Sequence, residues 1–188
     1  MNLFWTSDWH LNHWNIVKYT GRPFNSLEEM NSIIINKFNE RVQEDDMCFY
    51  LGDFLFKSGS GRGEGEPDKA QKFKDQLKCK NMIFLEGNHD KGGKNSLKTP
   101  IRKIIIHYGG KDICLIHDPA HIDWNYKFHI CGHVHEKWTF KEFQRGGKTV
   151  HCCNVSIERW NYYPVTWAEI DQAYAMWLKQ GCRDEKKN

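Results

Sequence analysis

Leu85-Glu86-Gly87-Asn88-His89-Asp90 is the stretch that decides how this chain folds. The apolar run Met82 to Leu85 ahead of it reads as a buried strand. It stops at a glycine followed by side chains able to bind metal or move a proton. Gly87 permits a sharp backbone turn that aims Asn88 and His89 across the strand end. Four other apolar runs end in the same way. Phe4-Trp5-Thr6-Ser7 leads into Asp8-Trp9-His10, and Phe49-Tyr50-Leu51 into Gly52-Asp53. Ile113-Cys114-Leu115-Ile116 leads into His117, and Phe128-His129-Ile130-Cys131 into Gly132-His133-Val134-His135. Strand ends that each deliver hard or borderline ligands point to one shared site.

Size and composition bound the answer. A chain of 188 residues with 39% hydrophobic and 14% aromatic content suits one globular domain spanning 1–188, with a core that needs no disulfide staples. A net charge of +3 is too mild to announce a nucleic-acid binder by electrostatics alone. No apolar run is long enough to cross a bilayer, so no membrane partner is expected, and the start Met1-Asn2-Leu3-Phe4 lacks a signal-peptide pattern. The seven cysteines are odd in number and lack C-x-x-C spacing; adjacent Cys152 and Cys153 point to opposite strand faces and read as core thiols. A reducing, cytoplasmic location follows as an expectation.

Along the chain, Trp9 to Asn25 reads as a loop. Ser26-Leu27-Glu28-Glu29 is a capping box opening a helix whose inward face carries Leu27, Met30, Ile34 and Phe38 and which ends near Val42 to Glu44. Met47 to Leu51 is the second strand. Lys57 to Glu66 reads as a flexible loop; its glycines match no phosphate-binding fingerprint. Pro67 suits the first turn of a helix with Ala70, Phe73 and Leu77 inward. Lys91 to Pro100 is turn-rich. Gly109-Gly110 and Gly146-Gly147 mark two hairpins, Arg102–Tyr108 with Lys111–Ile116 and Trp138–Phe143 with Thr149–Asn154. Thr166-Trp167-Ala168-Glu169 caps a last helix ending before Gly181, and the charged tail 183–188 reads as frayed. Strand–helix alternation followed by hairpins predicts an α+β or mixed α/β domain, with packed sheets in the middle and helices outside.

The ligand types fix the chemistry. Residues two apart in an extended segment face the same side, so Asp8 and His10, and likewise His133 and His135, each present a pair to one place. Asp53 is placed to bridge two divalent cations, one carboxylate oxygen to each. Asp8, His10, Asp53 and His135 then surround one ion, and Asp53, Asn88, His117 and His133 the other. These donors are all nitrogen or oxygen, which suits manganese first, with iron, zinc or nickel also compatible, and disfavours a thiolate site. Such a pair suits in-line displacement at phosphorus, with a water shared between the cations as nucleophile. His89 lies beside Asn88 but outside the ligand set, free to protonate the leaving oxygen as general acid. Asp90 orients or charges that imidazole, with Asp8 or Asp53 as alternatives.

In this order, Asp8-x-His10, Gly52-Asp53, Gly87-Asn88-His89-Asp90, His117 and Gly132-His133-x-His135 resemble the calcineurin-like metallophosphoesterase superfamily, and Asn154 to Pro164 is similar to its closing region. The resemblance implies a four-layer sandwich of two β-sheets flanked by helices, a dinuclear centre and phosphoester hydrolysis. It also supports the ligand assignments and the acid role of His89. The segment Asp8 to Ile16 with Gly21-Arg22-Pro23-Phe24 resembles small bacterial and phage phosphoesterases. The superfamily's protein phosphatases carry Asp-Arg-Gly after the Gly-Asp block; here Phe54-Leu55-Phe56-Lys57 follows, which argues against a phosphoprotein phosphatase.

Around this centre, His13, Asn15 and Arg22 are candidate substrate contacts, Arg22 for its planar fork. Asn88 serves on the same edge. Trp14, Tyr19, Trp124 and Tyr126 are candidates for stacking on a nucleobase. Trp9 either walls the pocket or packs. The expected partner is a small phosphoester or nucleotide, with nucleic-acid ends as the alternative, as in a nuclease; the oligomeric state is left open. A metal-binding scaffold without turnover is the non-enzymatic rival. It is disfavoured because every ligand and the acid histidine are present.

Overall fold

A computed structural model describes residues 1–55, 69–90 and 101–182. The expected loop over Lys57 to Glu66, the helix start at Pro67, the turns of Lys91 to Pro100 and the tail lie outside the described residues. Nine strands are described: β1 (Leu3–Thr6), β2 (Met47–Tyr50), β3 (Asn81–Phe84), β4 (Lys103–Tyr108), β5 (Lys111–Ile116), β6 (Phe128–Cys131), β7 (Phe140–Arg145), β8 (Lys148–Asn154) and β9 (Val165–Thr166). The helices are α1 (Asn15–Thr20), α2 (Leu27–Arg41), α3 (Lys69–Asp75) and α4 (Trp167–Lys179).

The strands form two mixed sheets flanked by helices, in the orders β3-β2-β1-β9 and β4-β5-β6-β8-β7. β1, β2 and β3 run parallel, as do β5, β6 and β8, so the carboxyl ends of each parallel set gather at one edge. That edge is where α/β sheets collect ligands.

Strand periodicity sorts the core into layers. Phe4, Cys48 and Tyr50 face the cluster under α2 and α3, with Met30, Ile34, Phe38, Ala70 and Leu77. Their neighbours Trp5, Phe49 and Leu51 face Ile113, Leu115, Phe128 and Ile130 of the second sheet, and Ile170 and Trp177 of α4 close this inner layer. Cys114, Ile116, Cys131 and Cys152 point to the other face of the second sheet, against Trp138. Six of the seven cysteines are buried free thiols, and Cys182 is half-buried. Trp9 packs: it is 1% exposed, edge-on to Phe38 and Tyr50, with its indole N–H on Thr6 Oγ1 at 2.9 Å.

The capping arguments hold with one shift of register. Thr166 and Glu169 form the full reciprocal box at α4. At α2, Ser26 Oγ accepts from the Glu29 N–H at 3.0 Å, but the Glu29 carboxylate reaches one residue further back, to the Asn25 N–H at 2.6 Å. Both hairpins form, their paired glycines all at positive φ as a primed turn requires. The stretch read as loop from Trp9 to Asn25 contains the short helix α1, closed by Gly21 at φ 64°.

Candidate metal centre

The loops leaving β1 and β2 run side by side, held by Asp8 N–H to Gly52 O, His10 N–H to Asp53 O and Leu11 N–H to Phe54 O, each 3.0 Å. In the second sheet Gly132 N–H to His117 O, 2.9 Å, ties the ends of β5 and β6 in the same way, and the His133 N–H on Asp8 Oδ2, 2.9 Å, joins the two sheets' loops. The paired candidate ligands do not sit in the extended segments that their spacing predicts. β1 ends at Thr6, and Asp8, His10, Asp53, His133 and His135 all lie in the left-handed region, with φ of 59°, 49°, 59°, 71° and 50°. Left-handed backbone costs a non-glycine residue roughly 1–2 kcal/mol. Here the interlocked loop hydrogen bonds hold it, and alternate left-handed residues throw their side chains to the same side. Gly87 also works differently from the expectation. Its φ is not positive; it is needed because a Cβ there would collide with Asp53 Oδ1 and the Asp53 amide. A Cβ on Gly132 would collide with Asp8 Oδ2 and Ser7 Oγ.

Asp8 is fully buried, and its two oxygens are treated unequally. Oδ2 accepts from Ser7 Oγ at 2.6 Å, Ser156 Oγ at 2.7 Å and the His133 N–H at 2.9 Å. Oδ1 has no hydrogen-bond partner, and neither does the buried His10 Nε2, 3.9 Å away. His135 Nε2 also lies 3.9 Å from Asp8 Oδ1. Next to this group, Asp53 Oδ2 is 3.5 Å from His10 Nε2 and 3.4 Å from His117 Nε2. Such separations are long for hydrogen bonds. The two Asp53 separations are close to the edges of a polyhedron around a cation with bonds of about 2.1 Å, roughly 3.0–3.4 Å, while the two 3.9 Å separations at Asp8 are wider. The two Asp53 oxygens have different neighbours. Asp53 Oδ1 accepts the His89 N–H at 2.8 Å, so Oδ2 alone faces both imidazoles. Asp8, His10 and His135 form one candidate ligand group, and Asp53, His117 and His133 another. Asn88 stands over the second, its Oδ1 accepting from His117 Nε2 at 3.0 Å and His133 Nδ1 at 2.8 Å.

Electrostatics follow from this crowding. Burial pushes His117 down, but the Asp53 carboxylate beside it and the charge of Asp8 overcome it and carry the ring up to about 9. Burial likewise opposes ionisation of Asp53, yet His117 and His10 hold its carboxyl below the usual range. His10 is pushed well down, chiefly by burial.

A second ring fixes the ligands. His117 Nδ1–H donates to Leu51 O at 2.7 Å, turning Nε2 inward. His135 Nδ1–H donates to Glu158 Oε1 at 3.0 Å, and Asn154 Nδ2 holds the His135 carbonyl at 2.7 Å. Arg22 does not reach toward a substrate: its side chain is 0% exposed. Its guanidinium bonds Glu158 Oε1 at 2.7 and 3.0 Å and the carbonyls of Asp8 and Trp9 at 2.7 Å each. Asp90 puts both oxygens on backbone N–H groups, of Asp53 at 2.7 Å, Gly87 at 2.9 Å and Phe54 at 3.3 Å, so it clamps two strand-end loops together. Sequence reasoning missed Ser7, Ser156 and Glu158. The last two lie in the Asn154 to Pro164 stretch, whose resemblance was the one available signal.

His89 and Asn88 are exposed at the mouth, with the His89 ring 5.1 Å from that of His10. His13 is buried behind them, its ring 5.5 Å from His10 and 6.4 Å from His89, and burial pushes it down to about 4. Asn15 opens α1 on the surface, and Tyr19 is 70% exposed with its ring 6.2 Å from His13. Trp124 and Tyr126 sit elsewhere, lining a groove with Lys111, Phe128 and Lys148, the first residues of β5, β6 and β8 and therefore at the opposite sheet edge.

No protein-family model matches the chain. The uncharacterized protein MJ1445 of Methanocaldococcus jannaschii is 32% identical over 170 residues, covering 87% of this chain and 86% of its own. The crystal structure of the protein of unknown function AQ665 from Aquifex aeolicus superposes with a TM-score of 0.65 at 23% identity, over 92% of this chain and 98% of that one, and so shares the fold. Zinc-complexed Vps29 from Entamoeba histolytica is more remote, with a TM-score of 0.42 at 16% identity over 82% and 73% of the two chains, and carries no functional argument. The chain belongs to the family of MJ1445, which it matches over most of the length of both chains.

Proposed function

We propose that the protein is a metal-dependent phosphoric ester hydrolase. The observation that carries this reading is Asp8: three donors saturate one of its oxygens, while the other, buried and without a hydrogen-bond partner, faces the imidazoles of His10 and His135. A buried carboxylate oxygen without a hydrogen bond calls for another partner, and at Asp8 two imidazole nitrogens converge on the same point, as they would around a cation. Asp8, His10, Asp53 and His135 would hold one divalent ion, and Asp53, Asn88, His117 and His133 a second. Bound there, such ions would polarise phosphoryl oxygens and acidify water.

The chain's own groups do the rest. His89, at the mouth and tethered through its N–H to Asp53, is the group we assign to protonating the leaving oxygen. Asp90 keeps the two loops in register so that this tether holds. We also assign His13, behind the mouth, and Asn15, at the start of α1, to substrate contact. We take the substrate to be a small phosphoester or nucleotide. The test is turnover of bis(4-nitrophenyl) phosphate and 4-nitrophenyl phosphate, before and after stripping metal and after adding manganese. Hydrolysis of either compound that vanishes on stripping and returns with manganese is expected, and the preferred compound sorts diesterase from monoesterase. Metal-independent turnover, or none with full metal content across these esters, cyclic nucleotides, dinucleotides and short oligonucleotides, contradicts the proposal.

A further inference from the structure

At the β7 edge of the second sheet, on the face turned to α4, a separate set of donors converges. Glu142 on β7 and His151 on β8 are cross-strand partners, with Glu142 Oε2 3.1 Å from His151 Nε2. Cys182 comes in from beyond the end of α4. Gly181 and Cys182, at φ 70° and 60°, turn the chain back, and the Cys182 N–H caps the helix on Trp177 O at 3.0 Å. The three donor atoms lie within 4.8 Å of one another. Both side chains on the sheet are partly sheltered, Glu142 at 33% and His151 at 18% exposure, so an ion can enter from solvent and still lose part of its hydration shell.

We propose that Glu142, His151 and Cys182 form a separate, three-ligand zinc site that fastens the C-terminal end of α4 to the β7–β8 edge. One thiolate, one imidazole and one carboxylate are donors that zinc accepts together, and three protein ligands leave a fourth position for water. The site also has the outer support that imidazole ligands need. His151 Nδ1 is hydrogen-bonded to the Tyr174 hydroxyl of α4, which fixes the ring and leaves Nε2 directed at Glu142. The ring further packs edge-on to Trp177, 5.2 Å between centroids. Cys182 differs from the other cysteines, all buried, in having its thiol within reach of such a ligand set. Closing the site ties three separate segments together, and Ile170 and Trp177 of α4 cover the layer between the sheets. Zinc there secures that layer from outside.

Cobalt(II) provides a readout specific to this cluster. The donors of the first metal centre are nitrogen and oxygen, so a thiolate-to-cobalt charge-transfer band in the near ultraviolet reports Cys182 alone. Metal-stripped full-length protein titrated with cobalt(II) is expected to develop that band. Cys182→Ser should abolish it, His151→Ala should weaken or abolish it, and Asp53→Asn should leave it in place. No band in the wild type, a band surviving Cys182→Ser, or its loss in Asp53→Asn overturns the proposal. In parallel, zinc should slow iodoacetamide alkylation of Cys182 by roughly tenfold or more, since a metal-bound thiolate is a poor nucleophile. An unchanged alkylation rate at saturating zinc counts equally against it.

Discussion

Replacing Glu158 by glutamine separates the architecture of the centre from its ligands. Glu158 and Arg22 are a buried pair, with side-chain exposures of 1% and 0% and a shortest contact of 2.7 Å. Burial disfavours the Glu158 carboxylate, but the Arg22 charge and the His135 hydrogen bond outweigh it and hold the group down to about 2. Glutamine keeps an acceptor oxygen but leaves the Arg22 cation without its counter-charge. Breaking a buried pair costs about 3–5 kcal/mol, and the surviving hydrogen bond places this change near the lower end. For a chain of this size that is a drop of roughly 6–12 °C in Tm. The same substitution weakens the hold on His135 Nδ1, and loss of such an outer partner typically lowers metal affinity by about 10–100-fold. The assays are urea unfolding of metal-free protein followed by circular dichroism, and manganese titration by calorimetry. The sign of the pH effect is fixed as well. The folded carboxyl titrates below its ordinary value of 4.5, so its contribution is fully present above pH 4.5 and fades as pH falls toward about 2. The variant should lack that slope. Wild-type unfolding midpoint together with wild-type manganese affinity in Glu158→Gln would refute the reasoning.

Other perturbations test the remaining assignments. His89→Ala should keep metal content near wild type while turnover falls by roughly a hundredfold or more, as for loss of a general acid; unchanged turnover removes His89 from the mechanism. Asp53→Asn should lower metal content at both positions in elemental analysis, since Oδ2 faces His10 and His117 alike. Full retention of metal would defeat the bridging assignment. His129 is wholly buried, accepts the Asp123 N–H on Nε2 at 3.1 Å, and is pushed down to about 4, chiefly by burial. The unfolded chain therefore takes up the proton first as pH falls below 6.5, and stability on the order of 3 kcal/mol is lost between pH 6.5 and about 4. His129→Gln, which keeps an acceptor for that N–H, should flatten this part of the unfolding-versus-pH curve; an unaltered curve would contradict the account.

What the sequence revealed and what it hid divide along physical lines. The convergence of the candidate ligands was legible because each follows an apolar run, and parallel strands bring their carboxyl ends to one edge whatever the loops do. Met30, Ile34 and Phe38 were legible as a helix face because their spacing is periodic. Arg22 was misread. Its fork suggested phosphate, but the partner that buries it, Glu158, is 136 residues away, and no local pattern announces such a pairing. The same distance hid Ser156, 148 residues from the Asp8 it saturates. Local backbone shape was also out of reach. Asp8-Trp9-His10 was read as extended because strands present alternate residues to one side, whereas two left-handed residues achieve the same convergence. Gly87 was recognised as necessary, but the cause is crowding by Asp53, a contact across loops, not a turn of its own. Asp90, next in sequence to His89, was read as serving that ring; three backbone N–H groups from the surrounding loops claim its carboxylate instead.

The most direct test of the central claim is anomalous diffraction from crystals of the full chain loaded with manganese. Our account predicts two peaks flanking Asp53 Oδ2, one among Asp8, His10 and His135 and the other among Asn88, His117 and His133. A cavity without anomalous density at full manganese occupancy elsewhere, or peaks that leave Asp8 Oδ1 without a ligand, would contradict it.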